Sequence, residues 1–202
     1  MSRRIPRAES QARTRARLLT AAAELFAERG VNGASVEQIA ERAGYTRGAF
    51  YGNFTGKPAL VAALLEHRTE HEYAEVSALT GDADSLRAWH RDRSTGAADW
   101  LALRLELLRY AVREQPEILD HLRARESYAR QAHAGWLTRL FADEGLEPPA
   151  EITELALIVH ALEDGLLIQR TIDPDTASPE ATLAAVELLA RSWLALARNA
   201  RA

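Results

Sequence analysis

Apolar residues recur at helical spacing along almost the whole chain, and no stretch alternates apolar with polar residues long enough to make a strand. The pattern predicts an all-α protein of about nine helices. The first runs over 10–29, with Leu18, Ala22, Leu25 and Phe26 on one face, and stops at Gly30. The second, over 36–43, begins at Ser35-Val-Glu-Gln38, a capping box in which serine and glutamine each satisfy an orphan backbone group. Gly44 is placed to take the left-handed conformation that closes it. Thr46 caps a third helix reaching Asn53. A fourth starts at Thr55-Gly-Lys-Pro58, where proline is tolerated in the first turn, and ends before Thr80. Further helices are predicted over 83–93, 97–114, 116–144, 150–172 and 179–199, separated by Gly- and Pro-containing breaks. The expected organisation is a three-helix head, residues 1–56, followed without a long linker by a six-helix body, residues 57–202.

Composition narrows the chemistry. The chain has no cysteine, which excludes a disulfide framework, a thiol nucleophile and Cys-ligated metal. The most apolar window, Leu155 to Leu162, is interrupted by His160 and falls far short of the roughly 20 residues that cross a bilayer. A basic start without an apolar stretch behind it does not read as a secretory signal, so a cytoplasmic protein without membrane partners is expected. Net charge is −4, yet its distribution is polar in the electrical sense. Residues 1–60 hold nine Arg and one Lys against five Glu, whereas the remaining 142 hold fifteen basic and twenty-four acidic residues. A +5 head on a −9 body attracts phosphate at one end only.

A short helix, a glycine turn and a second short helix form the unit that places one helix in the major groove of DNA. The residues at the start of that second helix, Thr46, Arg47 and Gly48, are the candidate base readers. Arg47 can fork onto guanine, and Gly48 keeps the helix slim. Ser35, Tyr51, Asn53 and Lys57, the chain's only lysine, are candidate backbone contacts. Arg3 and Arg4 belong to a basic tail suited to an adjacent groove.

Residues 13–60 resemble the DNA-binding head of the tetracycline-repressor (TetR) family of bacterial transcriptional regulators. The matching residues include Leu18, Leu19, Ala22, Phe26, Gly30, Ser35, Ile39, Ala40, Ala43, Gly44, Thr46, Gly48, Tyr51, Phe54, Lys57 and Leu60, and the run Gly44-Tyr-Thr-Arg-Gly-Ala-Phe-Tyr-Gly-Asn-Phe54 is especially close. Gly52, Asn53 and Pro58 depart from the usual pattern. The resemblance covers about a quarter of the chain. It implies a homodimer on a palindromic double-stranded operator, paired through its last two helices, with a small-molecule effector held among the middle helices of the body.

The body's own residues bear on those expectations. Residues 151–172 are apolar nearly all round, as are many positions of 183–194, which is more than one subunit needs to bury. Leu162, Gly165, Leu166, Gln169, Val186, Leu189 and Trp193 are the expected dimer contacts. Arg104 falls at the centre of an apolar face formed by Trp100, Leu101, Leu103, Leu107, Leu108, Ala111 and Val112. Buried there it needs an internal carboxylate, such as Glu163 or Asp164, or an anionic ligand; otherwise it extends its head to water. His133, Trp136, His160 and Asp164 join Trp100, Arg104 and Leu107 as candidate pocket residues, with His67 and His71 near the base. The sequence His67-Arg-Thr-Glu-His71 also spells a zinc-protease signature. It lies on the helix leading out of the head with no third ligand in view, so no metal, no cofactor and no enzymatic activity are expected. A DNA-binding regulator without an effector is the alternative reading.

Overall fold

The computed structural model describes residues 7–78, 97–175 and 177–201. Among these residues there are eight helices and no strand: α1 (Arg7–Gly33), α2 (Val36–Arg42), α3 (Arg47–Tyr51), α4 (Lys57–Ala78), α5 (Ala97–Arg113), α6 (Ile118–Asp143), α7 (Ile152–Ile172) and α8 (Pro179–Arg201). The all-α reading of the sequence is therefore observed, and the limits of the first three helices have local causes. The helix expected over 83–93 lies outside the described residues.

Gly30 breaks α1 where the sequence placed its end, with φ of 74°. A side chain there would be strained, and a Cβ would stand 2.7 Å from Glu106 Oε1. Both halves of the capping box form: Ser35 Oγ accepts from the Gln38 amide at 3.1 Å, and Gln38 Oε1 accepts from the Ser35 amide at 2.9 Å. Gly44 adopts φ of 78° and turns the chain into α3. Thr46 Oγ1 caps α3 by accepting from the Ala49 amide at 3.3 Å. α3 ends at Tyr51, two residues earlier than expected, because Gly52 serves as its C-cap.

By packing, the chain forms two compact units. Among the described residues, those up to 70 group with 102–123, and those from 71 to 101 group with those from 124 onward. The expected boundary after residue 56 divides the chain by task, whereas this grouping divides it by contact. The first unit buries Leu18, Ala22, Phe26, Ile39, Phe50 and Leu60, and from α5 it buries Leu103, Leu107, Tyr110 and Ala111. Each fully buried large side chain contributes about 1.5–3 kcal/mol. Those α5 positions, at i, i+4, i+7 and i+8, set an inward face slightly rotated from the one read off the sequence. Leu108 and Val112, assigned inward there, are exposed on the other side, and Arg104 lies half-buried on the flank rather than at the centre.

The second unit has its own core of Leu137, Phe141, Leu155, Ala156, Val159, Val186, Trp193, Leu194 and Ala197, with Trp136, Leu140, Leu162 and Leu189 packed against it. The single chain already covers part of the expected dimer set. Val186 and Trp193 are buried in their own chain, and Leu162 and Leu189 lean on the same core. Counting apolar residues on a helix does not reveal which side its own chain covers. The apolar side chains left outside are Leu157, Ile158, Ile168 and Ile172 on α7, and Leu188 and Leu196 on α8. Gly165 and Gln169 are also exposed, and Leu166 is half-buried. Among the described residues no helix is long and apolar enough to cross a membrane.

Candidate DNA interface and the polar cluster of the body

α3 is anchored by one residue and offers the others. Phe50 has 0% exposure and meets Tyr51 edge-on at 5.3 Å and Phe54 at 5.6 Å between ring centroids. Phe50 is inward, the helical repeat sets Gly48 on the opposite face, and Thr46, Arg47, Gly48 and Tyr51 are all exposed. Among the described residues, an added Cβ at Gly48 would meet Thr46 Oγ1 at an ordinary 3.7 Å, so the start of α3 has a slim outer surface. Arg47 reaches Glu37 at 3.0 Å and lies over the Tyr51 ring at 5.4 Å. Its side chain is 64% exposed and Glu37's is 54% exposed, so water screens that ion pair and it exchanges readily for another partner.

Other candidates in the head carry structural duties. Ser35 is committed to its capping box. Asn53 Nδ2 donates to the Ala49 carbonyl at 2.8 Å and closes the end of α3. Lys57 Nζ donates to the carbonyls of Val31 at 2.9 Å and Ala34 at 3.0 Å, tying the start of α4 to the segment ahead of α2. The sequence offered it as a phosphate anchor, since nothing local signals these carbonyls 23 and 26 residues away. Lys57→Met should destabilise the chain by about 1–3 kcal/mol by stranding them, measured as a shift in urea midpoint at unchanged slope. Wild-type stability would show that water replaces the ammonium. Arg3 and Arg4 lie outside the described residues.

Sequence reasoning did not single out Glu106. Its Oε1 accepts from the Val31 amide at 2.7 Å and is 2.7 Å from Arg109 Nη2. The Val31 residue is thus held from both sides, its N–H by α5 and its carbonyl by the first residue of α4. Asn32 adds a second tie to α5 by donating to Glu114 Oε1 at 2.5 Å. The Arg109 guanidinium, followed by the Val31 amide, holds the Glu106 carboxyl below the usual carboxylate range against the opposing effect of burial. A depressed pKa means stability that is complete above the unfolded value and is lost as pH falls through the folded one. Acid titration below the ordinary carboxylate range should therefore loosen this contact. In Glu106→Gln that share of the acid sensitivity should be gone, as read from the pH dependence of the urea midpoint. An unchanged acid limb in that variant would remove Glu106 from the account.

The candidate pocket residues are not gathered into one place. Leu107 is fully buried and Arg104 half-buried in the first unit, where Arg104 is engaged rather than free. His67 and His71 are exposed on α4. In the second unit Trp136 packs on the core, and Trp100 faces the buried Arg125 guanidinium at 5.1 Å. His133, His160 and Asp164 do come together, joined by Glu126 and Glu163, which the sequence did not single out as partners for the histidines. His160 Nε2 is 2.6 Å from Glu126 Oε2 and 4.0 Å from Asp164 Oδ2. His133 Nε2 is 3.2 Å from Glu163 Oε2, and the two imidazole rings are 5.7 Å apart. Arg125 Nη1 holds the other Glu126 oxygen at 2.7 Å. The signal was two helices each carrying such groups on one face, but only tertiary packing shows that those faces meet.

A capped helix, a glycine turn and a second helix with an outward basic start define a helix-turn-helix DNA-binding regulator. Residues 18–64 match the family described as bacterial regulatory proteins, tetR family. The HTH-type transcriptional repressor AcnR of Corynebacterium diphtheriae is 30% identical over 189 residues, covering 88% of this chain and 92% of AcnR. The chain belongs to the TetR family of transcriptional regulators, and neither the family nor these relatives are enzymes. Similarity to the HTH-type transcriptional regulator TtgR of Pseudomonas putida is higher but local, 41% over 80 residues, and spans only 38% of TtgR's length. Among solved structures, the triclosan complex of SmeT superposes with a TM-score of 0.68 at 25% identity, covering 89% of this chain and 90% of that one. SmeT is the repressor of the Stenotrophomonas maltophilia multidrug efflux pump SmeDEF.

Proposed function

We propose that this chain is a homodimeric cytoplasmic repressor that binds a palindromic operator and leaves it when a small molecule occupies the body. The observation that carries the DNA reading is the outward Arg47, set on a helix whose inward Phe50 fixes its orientation. Thr46, Arg47 and Gly48 face the bases, while Tyr51 and the basic residues of the head meet phosphate. Arg47→Ala should cost about 1–3 kcal/mol and relax preference at one base pair per half-site, checked by binding to a single-substitution operator series. An unchanged preference would take base reading away from Arg47.

Pairing through α7 and α8 supplies the second half-site, and it covers Leu157, Ile158, Ile168, Ile172, Leu188 and Leu196. Effector binding falls to the body, where His133, His160 and Asp164 offer convergent polar groups beside an apolar core. The SmeT–triclosan complex supports a body that accepts a small molecule. Control reaches the head through the Val31 segment, because a shift of α4 or α5 must move Lys57 or Glu106 and with them the entry to α2. Coupling of about 1–3 kcal/mol would weaken DNA binding about 5–150-fold, and DNA must weaken the effector by the same factor. The test is a thermal-shift screen followed by affinity measurements on each stabilising compound with and without operator. Equal affinity in both conditions, for every compound that binds, would leave repression by occupancy alone.

A further inference from the structure

We infer that the body binds one divalent transition-metal ion per chain, on His133, His160 and Glu163, with Glu126 and Asp164 supporting His160. One ligand atom from each of His133, His160 and Glu163 lies within 4.8 Å of the others, and the same holds for Glu126, His160 and Asp164. Donors at about 2.0–2.2 Å from one ion sit about 3.3 Å apart, so these side chains must close in to fill the site. The donors come from two helices in the manner of bundle metal centres: Glu126 and His133 share a face of α6, and His160, Glu163 and Asp164 share a face of α7.

The donor types select the ion. Two imidazoles and a carboxylate suit zinc, cobalt or nickel, whereas magnesium and calcium prefer oxygen alone. Three protein ligands leave a position open for water or for a donor atom of a bound molecule. Arg125 fixes Glu126 by its Oε1, so the Oε2 that meets His160 is held in place. Since Glu126 occupies His160 Nε2, the ion is assigned to Nδ1 of that ring, and a carboxylate on the other ring nitrogen is the support that metal sites use to orient a ligating histidine. The other histidine pair, His67 and His71, belongs to neither grouping. The zinc-like spelling on α4 thus draws attention to the wrong histidines.

This site coincides with the region proposed above for the effector, but metal binding is measured without DNA, so either reading can fail alone. The experiment is titration of the metal-free full-length protein with Co2+ and Zn2+, by visible absorption and calorimetry. Wild type should bind one ion per chain and give the strong visible bands of low-coordinate Co2+. His133→Ala and Glu163→Gln should each weaken binding at least about tenfold, and Glu126→Gln should cost about 10–100-fold as a supporting group. Far-UV spectra and melting of the metal-free variants establish that they fold. The double variant H67A/H71A should bind as wild type does. Absence of stoichiometric binding by wild type would overturn the site, as would loss confined to H67A/H71A. Wild-type affinity in folded His133→Ala and Glu163→Gln would overturn it equally.

Discussion

Phe50→Ala should destabilise the first unit by about 3–5 kcal/mol and abolish operator binding. Phe50 is among the largest side chains with 0% exposure, and its ring joins α3 to Tyr51 and Phe54. α3 has only five residues, too few to persist as a helix without tertiary support. Removing the ring leaves a cavity and a recognition helix with no inward anchor. The loss is a large share of the roughly 5–15 kcal/mol that stabilises a typical domain. Urea unfolding measures the stability, and a gel shift measures the binding. Tight operator binding by this variant would mean that α3 is oriented by something other than its buried face.

The second large effect concerns assembly. Leu188→Glu combined with Ile158→Glu should convert a dimer to monomers and weaken operator binding by about 10²–10⁴-fold, since each half-site contact then acts alone. Both side chains are well exposed within the single chain, 60% for Leu188 and 47% for Ile158, so the monomer's own core is left intact. Val186 and Trp193 would be poor choices for the same test, because substitution there disrupts the intrachain core. Sedimentation gives the oligomeric state, and far-UV spectra give the helix content. A double variant that remains dimeric would place the interface on another surface.

These two variants also show which parts of the protein could be read from sequence. The head was legible because its determinants are local. The Ser35–Gln38 box, the turn at Gly44 and the Thr46 cap act over four residues or fewer, so spacing alone specifies them. The side chains that join elements were not legible. Lys57 reads as a phosphate anchor until the carbonyls of Val31 and Ala34 are found beside it, and Glu106 reads as an ordinary surface acid until the Val31 amide is seen against it. Arg104 was misplaced by a rotation of the buried face of α5, which Tyr110 helps to set. The expected dimer residues divide for a different reason, Val186 and Trp193 packing in their own chain while Gly165 and Gln169 stay exposed. An all-apolar helix has a side for its own core and a side for a partner, and hydrophobicity is the same on both. The histidine–carboxylate cluster escaped because α6 and α7 each carry only part of it.

The helix-turn-helix reading also gives the Val31 segment a purpose. Both an amide and a carbonyl of one residue are held by side chains from α5 and α4, immediately before the capping box that starts α2. The coupling proposed above needs a rigid link at that point, since a flexible one would absorb any displacement before it reached α3. Gly30 permits the close approach of Glu106, and a larger residue there would meet the carboxylate at 2.7 Å.

The most direct test of the account is the binding of the purified full-length protein to duplex DNA selected from its own genome, followed across a range of salt concentrations. A two-fold symmetric site occupied by a dimer is expected, with affinity falling steeply as salt rises and about 10³-fold or more above that for random duplex. Equal affinity for selected and random duplex at physiological salt would contradict the account.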